Sequence, residues 1–218
     1  MTTAVKAVFL AQPEAPQLGR RERRRRETRD KIFRAAMQLF AEQGFLETTT
    51  QQISEAADVG EGTFFNYFPT KGHVLTVLTD IQLDKVTHAL SAARDRTRPT
   101  RAVLRRLLHS IAEEPGRSPA LTRSLFTAFL SNDAVRQIVS LTLRRVRKRL
   151  AHIIAGGQRR GEIRLDRRAV DLAMTYQKAG IGSLLLWAMQ PKGTLKTSLD
   201  QTFIDFWAAA RRTQRDET

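Results

Sequence analysis

The chain contains no cysteine, and this absence excludes several kinds of chemistry. Without thiols the protein has no disulfide framework, no thiolate nucleophile and no cysteine-ligated zinc or iron–sulfur site. Long apolar runs are missing as well, since no stretch approaches the roughly 18 apolar residues that a membrane span needs. The apolar stretch at residues 7–11 is too short for the core of a signal peptide. We therefore expect the chain to stay in the cytoplasm and to have no membrane partner.

Catalytic and cofactor signatures are scarce. The histidines His73, His88, His109 and His152 are scattered and form no helical ligand pair. No phosphate-binding GxxxxGK motif occurs, and Ser183, in AGIGSLLL, lacks the nucleophile-elbow pattern. The sequence therefore predicts no catalytic residue, no metal site and no cofactor.

Acidic residues are few beside the basic ones. The chain has 37 Lys and Arg against 22 Asp and Glu, and its formal net charge is +15. Such a chain attracts polyanions, of which nucleic acid is the commonest large one in a cytoplasm. Charge alone also fits RNA or a membrane surface, so it does not identify DNA.

Apolar residues recur with helical period almost throughout the chain after residue 26, and no segment has the pattern of a strand. The pattern predicts an all-α protein of about nine helices, including a long helix that ends before Pro99 and that we expect to link two domains. No repeat at 20 to 50 residues indicates a solenoid. Turn residues separate the later helices, which we expect at residues 101–112, 119–130, 133–155, 167–190 and 195–212.

The most informative segment is TTTQQISEAADVGEGTFFNYFPTK, residues 48–71, which predicts two short helices joined by a three-residue turn. Thr49 suits the N-cap of the first helix, and Gln52 stands where a capping-box partner belongs. Gly60 is expected to provide the backbone angles of the turn. This geometry is typical of a DNA-reading unit. The side chains expected to face inward are Ile53, Ala56 and Ala57 on the first helix and Phe64, Phe65 and Phe68 on the second.

The outward residues of the second helix are candidates for contact with DNA bases. Asn66 can pair bidentately with adenine, and the Thr63 methyl group can touch thymine, unless both only form a polar solvent face. Glu61 can accept from cytosine or merely stabilise the helix dipole. Gly62 permits either a close approach of DNA or packing against the preceding helix. Tyr67, further along the helix, is a phosphate candidate.

Three residues at the start of the first helix, Thr49, Thr50 and Gln51, are further candidates for DNA contact. A helix N-terminus attracts phosphate, and hydroxyl and amide groups can donate to it. The alternative is that they only cap the helix.

A larger set of residues around this segment falls in one continuous order and resembles the tetracycline-repressor (TetR) family of bacterial regulators over roughly residues 25–75. Asp58, Gly60 and Phe65 depart from the pattern, where the family usually has glycine, serine and often tyrosine. The resemblance is carried by Thr28, Ile32, Ala35, Ala36, Leu39, Phe40, Glu42, Gly44, Phe45, Thr49, Thr50, Ile53, Ala56, Val59, Gly62, Thr63, Phe64, Tyr67, Phe68 and Lys71.

The resemblance implies a transcriptional regulator that binds an inverted-repeat operator in double-stranded DNA as a homodimer. It implies a homeodomain-like helix-turn-helix domain at residues 20–71, after an extension at residues 1–19, and a ligand and dimerisation domain at residues 72–218. It also implies that Tyr67 and Lys71 contact phosphate. We expect a repressor that an unknown small molecule releases from DNA. A nonspecific architectural DNA-binding protein and an amphipathic membrane-surface protein are the alternatives.

An arginine run leads into the first helix, and Arg24 and Arg26 are its candidate DNA contacts. An arm at this place can enter the minor groove of the operator, where A·T-rich segments concentrate negative potential. The alternative is a solvated basic tail.

The last two predicted helices carry apolar stripes that fit either a dimer face or the protomer's own core, and the resemblance favours the dimer. The dimer candidates are Leu172, Gly180, Leu184, Leu199, Phe203, Phe206 and Trp207. A second group of side chains either lines an effector cavity or is ordinary core. These cavity candidates are Phe126, Phe129, Met174, Tyr176 and Trp187.

Overall fold

The structure is a computed structural model that describes residues 19–95 and 97–212. The predicted extension, residues 1–19, lies outside these ranges except for Gly19, which caps the first helix. Within the described ranges the fold is helical, with one isolated antiparallel bridge between Ile163 and Arg211. The predicted all-α fold is confirmed. None of the helices in this part of the chain combines the length and the apolar character needed to cross a membrane.

Nine α-helices occupy the described residues, and short 3-10 turns lie at Lys71–Val74 and Pro115–Arg117. In chain order the helices are α1 (Arg20–Glu42), α2 (Thr50–Ala56), α3 (Glu61–Tyr67), α4 (Leu75–Arg94), α5 (Thr100–Ala112), α6 (Pro119–Ser131), α7 (Asp133–Arg159), α8 (Ala169–Met189) and α9 (Leu195–Ala210).

Helix α1 begins at Arg20, so the arginine run forms its first turns. Arg23 pairs with Glu27 and Arg26 pairs with Glu22, each at 3.8 Å. Ion pairs spaced four residues apart favour the helix over an extended arm. The prediction that an arm precedes this helix is therefore wrong, because acidic residues within the run offset part of its charge repulsion.

The turn between α2 and α3 differs in detail from the prediction. Asp58 has φ 53°, in the left-handed region, whereas Gly60 has φ −69° and is the N-cap of α3. The prediction that Gly60 supplies the unusual backbone angle is therefore wrong. Aspartate takes this conformation more readily than most residues with side chains.

The inward faces of α2 and α3 are narrower than predicted. Ile53, Phe64 and Phe68 are buried, but Ala56 is exposed and the Phe65 side chain is 49% exposed. Successive residues of a helix point about 100° apart, so a short helix buries Phe64 and turns its neighbour outward.

Helix α7 passes through Gly156 and Gly157, where the sequence predicted a break. A Cβ atom on Gly157 would lie 2.7 Å from the Thr100 Oγ1 and 3.0 Å from Ile163. Gly157 is therefore present for close packing against the start of α5, not for a turn.

One apolar core joins the first three helices to α4 and α6. Phe40 and Phe64 belong to the same buried cluster as Leu75, Leu78 and Leu125. The helix-turn-helix unit therefore rests directly on α4 and α6. A second core, farther along the chain, lies among α4, α5, α7, α8 and α9.

The predicted dimer stripe lies mainly inside the protomer. Leu172, Leu199, Phe203 and Phe206 are each at most 6% exposed and belong to the second core. Trp207 packs against the same core, with its ring 6.2 Å from that of Phe203. Placing Leu172, Leu199, Phe203 and Phe206 in a dimer face was therefore wrong, because they already cover the protomer's own core.

Candidate DNA-binding surface and ligand cavity

The capping box at the start of α2 is confirmed. Thr49 Oγ1 accepts from the Gln52 backbone N–H at 3.1 Å, and Gln52 Oε1 accepts from the Thr49 N–H at 2.9 Å. Thr50 and Gln51 follow in the first turn, and Gln51 donates to Glu55 at 3.0 Å. The capping role of Thr49 is thus fulfilled within the protomer, and DNA contact by these three residues stays a prediction.

Helix α3 presents a small polar face to solvent. Glu61, Gly62 and Asn66 are exposed, and Thr63 and Tyr67 are half-buried. Apart from its chain neighbours and the backbone of α3 itself, no atom of the described residues lies within 4 Å of the position that a Cβ on Gly62 would occupy. Packing against α2 therefore does not explain this glycine, and close approach of DNA stays a prediction.

Lys71 is bonded within the protomer. Its ammonium donates to the carbonyl oxygens of Leu46 at 2.8 Å and Thr48 at 2.7 Å, and it lies 4.9 Å from the centre of the Phe45 ring. Burial lowers the pKa of the Lys71 ammonium below its usual value, and the negative charge of Glu47 partly opposes this shift. Sequence reasoning missed this role because the bonded carbonyls lie far back along the chain.

The arginine run at the start of α1 is exposed. Arg24 and Arg26 lie on the first two turns of α1, and Arg26 forms an ion pair with Glu22. These side chains project from a helix, so any DNA contact they make starts from that rigid base.

A largely apolar cavity of about 210 Å³ lies among α4, α5, α6, α7 and α8. Phe126, Phe129 and Tyr176 line it, as the sequence predicted. Leu184 and Gly180, which the sequence assigned to a dimer face, also line it. This cavity explains why those two positions are apolar or small without an interface.

The other two cavity candidates lie elsewhere, so their prediction is wrong. Met174 accepts a hydrogen bond from Arg147, with 3.2 Å between nitrogen and sulfur. Trp187 does not line the cavity, and its indole N–H is buried with no hydrogen-bond partner among the described residues. Helical periodicity identified both as partly inward, but it does not distinguish one interior space from another.

One wall of the cavity is formed by residues of α4, which the sequence predicted only as a linking helix. They are Leu75, Leu78, Thr79 and Gln82. Their spacing of three and four residues is a visible signal for a shared face, although it does not say what the face covers.

Three cavity-lining residues also belong to the core beneath the DNA-reading unit. They are Leu75 and Leu78 on α4 and Leu125 on α6. A direct ion pair, Arg29 to Asp80 at 2.7 Å, further ties α1 to α4. The cavity wall and the core that supports α1 to α3 therefore share these three side chains.

Comparison with known proteins agrees with this arrangement. Residues 32–77 match the family model described as bacterial regulatory proteins, tetR family. The chain is 45% identical over 62 residues to the HTH-type transcriptional regulator TcmR of Streptomyces glaucescens, covering 28% of this chain and 26% of TcmR.

A longer match is to the HTH-type transcriptional repressor KstR of Rhodococcus jostii. It is 28% identical over 136 residues, which cover 61% of this chain and 59% of KstR. The chain thus spans less than two thirds of the length of both curated relatives.

Among solved structures, the chain is similar to the transcriptional repressor FadR of Thermus thermophilus in complex with lauroyl-CoA. The two share 30% sequence identity over 82% of this chain and 92% of FadR, with a TM-score of 0.58. The similarity therefore includes both the helix-turn-helix unit and the helices around the cavity.

Proposed function

Because the chain belongs to the TetR family of DNA-binding transcriptional regulators, we propose that it is a dimeric repressor of an inverted-repeat operator. A small molecule that fills the cavity releases it from double-stranded DNA. As a transcriptional regulator, the chain is not an enzyme.

The observation that carries this proposal is the set of residues shared by the cavity and the core of the DNA-reading unit. Leu75, Leu78 and Leu125 face both the cavity and this core. Ligand binding and DNA binding therefore each favour a different packing of the same side chains. A ligand that prefers one packing of α4 shifts the population toward it and turns the two reader helices out of register with the DNA grooves.

In the complex, α3 is the helix that enters the major groove. The Thr63 and Asn66 side chains read base edges there, Glu61 lies at the same end, and Gly62 lets the DNA come close. The phosphates are held by Tyr67, by the start of α2 and by the arginines of α1.

Dimerisation uses the outward faces of α8 and α9 and not the stripe that the sequence suggested. Leu186 and Met189 on α8 are 66% and 62% exposed, and Ile204 on α9 is 51% exposed. Exposed apolar side chains on adjacent helices favour burial against a second copy. A two-fold dimer presents its two α3 helices about one turn of DNA apart, which matches an inverted repeat.

The effector has an apolar body, because the cavity wall is almost entirely apolar. The lauroyl-CoA bound by the FadR relative supports an apolar group as the part that enters the protein. Repression is supported by the description of KstR and FadR as repressors. We place the protein in the cytoplasm, where its operator is.

Selection of random double-stranded DNA by the purified protein at about 150 mM salt tests this function, because salt suppresses nonspecific phosphate binding. The proposal predicts enrichment of an inverted repeat. Recovery of unrelated sequences would favour an architectural DNA-binding protein. Tighter binding to anionic vesicles than to any duplex would favour a membrane-surface protein.

A further inference from the structure

We propose that the cavity selects a neutral, mainly apolar molecule with one hydrogen-bond donor, such as a hydroxyl group, and that the side-chain amide of Gln82 recognises this donor. The inference rests on the proposed function, since it takes the cavity as the effector site. It adds the chemical class of the ligand and the residue that discriminates it.

Charge is the first constraint. Within residues 19–95 and 97–212, no Lys, Arg, His, Asp or Glu side chain lines the cavity. Lys85, one turn beyond Gln82, is engaged elsewhere, since its ammonium donates to the Ser110 carbonyl at 2.5 Å and to Glu114 at 2.6 Å. A charged ligand group inside the cavity would lose its hydration without gaining a counter-ion. The part of the ligand that the cavity encloses is therefore neutral.

The lining hydroxyl groups are already committed. Tyr176 donates to the Leu104 carbonyl at 2.7 Å, and Thr79 donates to the Thr76 carbonyl at 2.8 Å. The remaining lining hydroxyl groups, on Thr122 and Thr142, also donate to backbone carbonyls of their own regions. Each of these hydroxyl groups therefore already has a hydrogen bond, and its proton is not free to donate to a ligand, whereas its oxygen keeps acceptor capacity.

The two lining amides differ. Gln177 Nε2 donates to the Leu143 carbonyl at 3.0 Å, which anchors that side chain. The Gln82 side chain makes no hydrogen bond among the described residues, and its Oε1 is buried without a partner. A buried carbonyl oxygen without a donor is unfavourable, and native structures keep few of them without a use.

Rotation about the terminal bond of Gln82 costs little, because that torsion has broad minima. The amide oxygen can therefore turn toward a donor in the cavity that its side chain lines. Gln82 also lies on α4, one turn beyond Leu78, which faces both the cavity and the DNA-supporting core. A hydrogen bond from the ligand to Gln82 thus acts on α4, the helix that lines the cavity and supports the DNA-reading unit.

The volume of the cavity determines the size of a suitable test ligand. A dry engineered cavity of about 150 Å³ holds benzene, so the 210 Å³ here suits a somewhat larger ring system. We choose naphthol, methoxynaphthalene, methylnaphthalene and naphthoate, each substituted at the same ring carbon. The set varies the donor, the acceptor and the charge on a constant apolar body.

The test is the dissociation constant of each probe for the full chain without DNA, measured by calorimetry at neutral pH. We expect naphthol to bind about 3- to 10-fold more tightly than methylnaphthalene, the usual range for one neutral hydrogen bond. Methoxynaphthalene should bind less tightly than naphthol, because its ether oxygen offers no donor to the buried Gln82 Oε1, and naphthoate should bind most weakly.

Gln82→Met should abolish the advantage of naphthol and leave methylnaphthalene unchanged, because methionine keeps the length and removes the amide. Thr79→Val, one turn away on the same wall, is the control and should keep the preference. Equal binding of naphthol and methoxynaphthalene, preference for naphthoate, or no binding of any probe would each overturn the inference. The DNA selection would still decide the proposed function, because it needs no ligand.

Discussion

The Lys71 ammonium donates to the Thr48 carbonyl oxygen at 2.7 Å, so the first residue of the 3-10 turn after α3 fixes the loop that leads into α2. The same ammonium also donates to the Leu46 carbonyl oxygen, so Lys71, which follows α3, is bonded to the chain that precedes α2. Lysine carries three N–H donors, and two are used here. Its position is thus explained by the protein itself before any DNA is bound.

Lys71→Met should reduce both stability and operator affinity. Losing two charge-assisted hydrogen bonds at a partly buried site should cost about 1–3 kcal/mol of unfolding free energy. Denaturant unfolding measures this cost, and Lys71→Arg, which keeps the charge, is the comparison. The dependence of DNA affinity on salt concentration then distinguishes a phosphate contact by Lys71 from a purely structural role. Each lost phosphate contact flattens the log–log slope by about 0.9, whereas a purely structural lysine leaves it unchanged.

Asn66→Ala should weaken operator binding by about 1–3 kcal/mol, the usual value of one bidentate base contact. It should not weaken binding to unrelated DNA, and its melting temperature should stay the same because Asn66 is exposed. Titration against both duplexes measures the difference. Equal weakening on the two duplexes would mean that Asn66 contacts phosphate and reads no base.

Gly62→Ala should have opposite effects on folding and on DNA binding. Alanine favours a helix by about 1 kcal/mol over glycine, and no atom within 4 Å of the added methyl group opposes it. We therefore expect a higher melting temperature together with weaker operator binding, because the methyl group would meet the DNA. A variant that is more stable and binds equally well would remove the close-approach explanation.

Leu186→Glu should separate the proposed dimer into folded monomers. The side chain is 66% exposed in the protomer, so the charge disrupts an interface and leaves the core intact. Analytical ultracentrifugation gives the mass, and circular dichroism checks the fold. Leu199→Glu is the contrast, since Leu199 is 2% exposed and a buried carboxylate there should unfold the chain. A folded Leu186→Glu dimer would place the interface elsewhere.

The sequence was most informative where structure depends on neighbours along the chain. The Thr49–Gln52 capping box was predictable because both partners lie in one turn and each residue type suits only a few positions. The burial of Phe64 and Phe68 follows from helical spacing in the same way.

Prediction was weakest where an apolar stripe had to be assigned to a partner. Leu199 and Phe203 face the protomer's own core, and Leu184 faces the cavity, although all three fit an interface equally well. Helical period shows that a face is covered and not what covers it. Gly157 illustrates the same limit, because its reason lies in Thr100, far away in sequence.

The cavity was predicted in part. Phe126, Phe129 and Tyr176 were found from residue type, but the α4 wall was not, because its residues were fully accounted for as a linking helix. Gln82 could not be found from sequence at all. Its proposed role rests on a buried Oε1 that has no hydrogen-bond partner among the described residues, which only the three-dimensional arrangement reveals.

The most direct test of the coupling between cavity and DNA is the affinity of the protein for its selected operator with and without saturating naphthol. We predict that naphthol weakens operator binding at least about 5-fold, the lower end of common allosteric coupling. By linkage, the operator should weaken naphthol binding by the same factor. Unchanged operator affinity at a naphthol concentration that saturates the cavity would contradict the account.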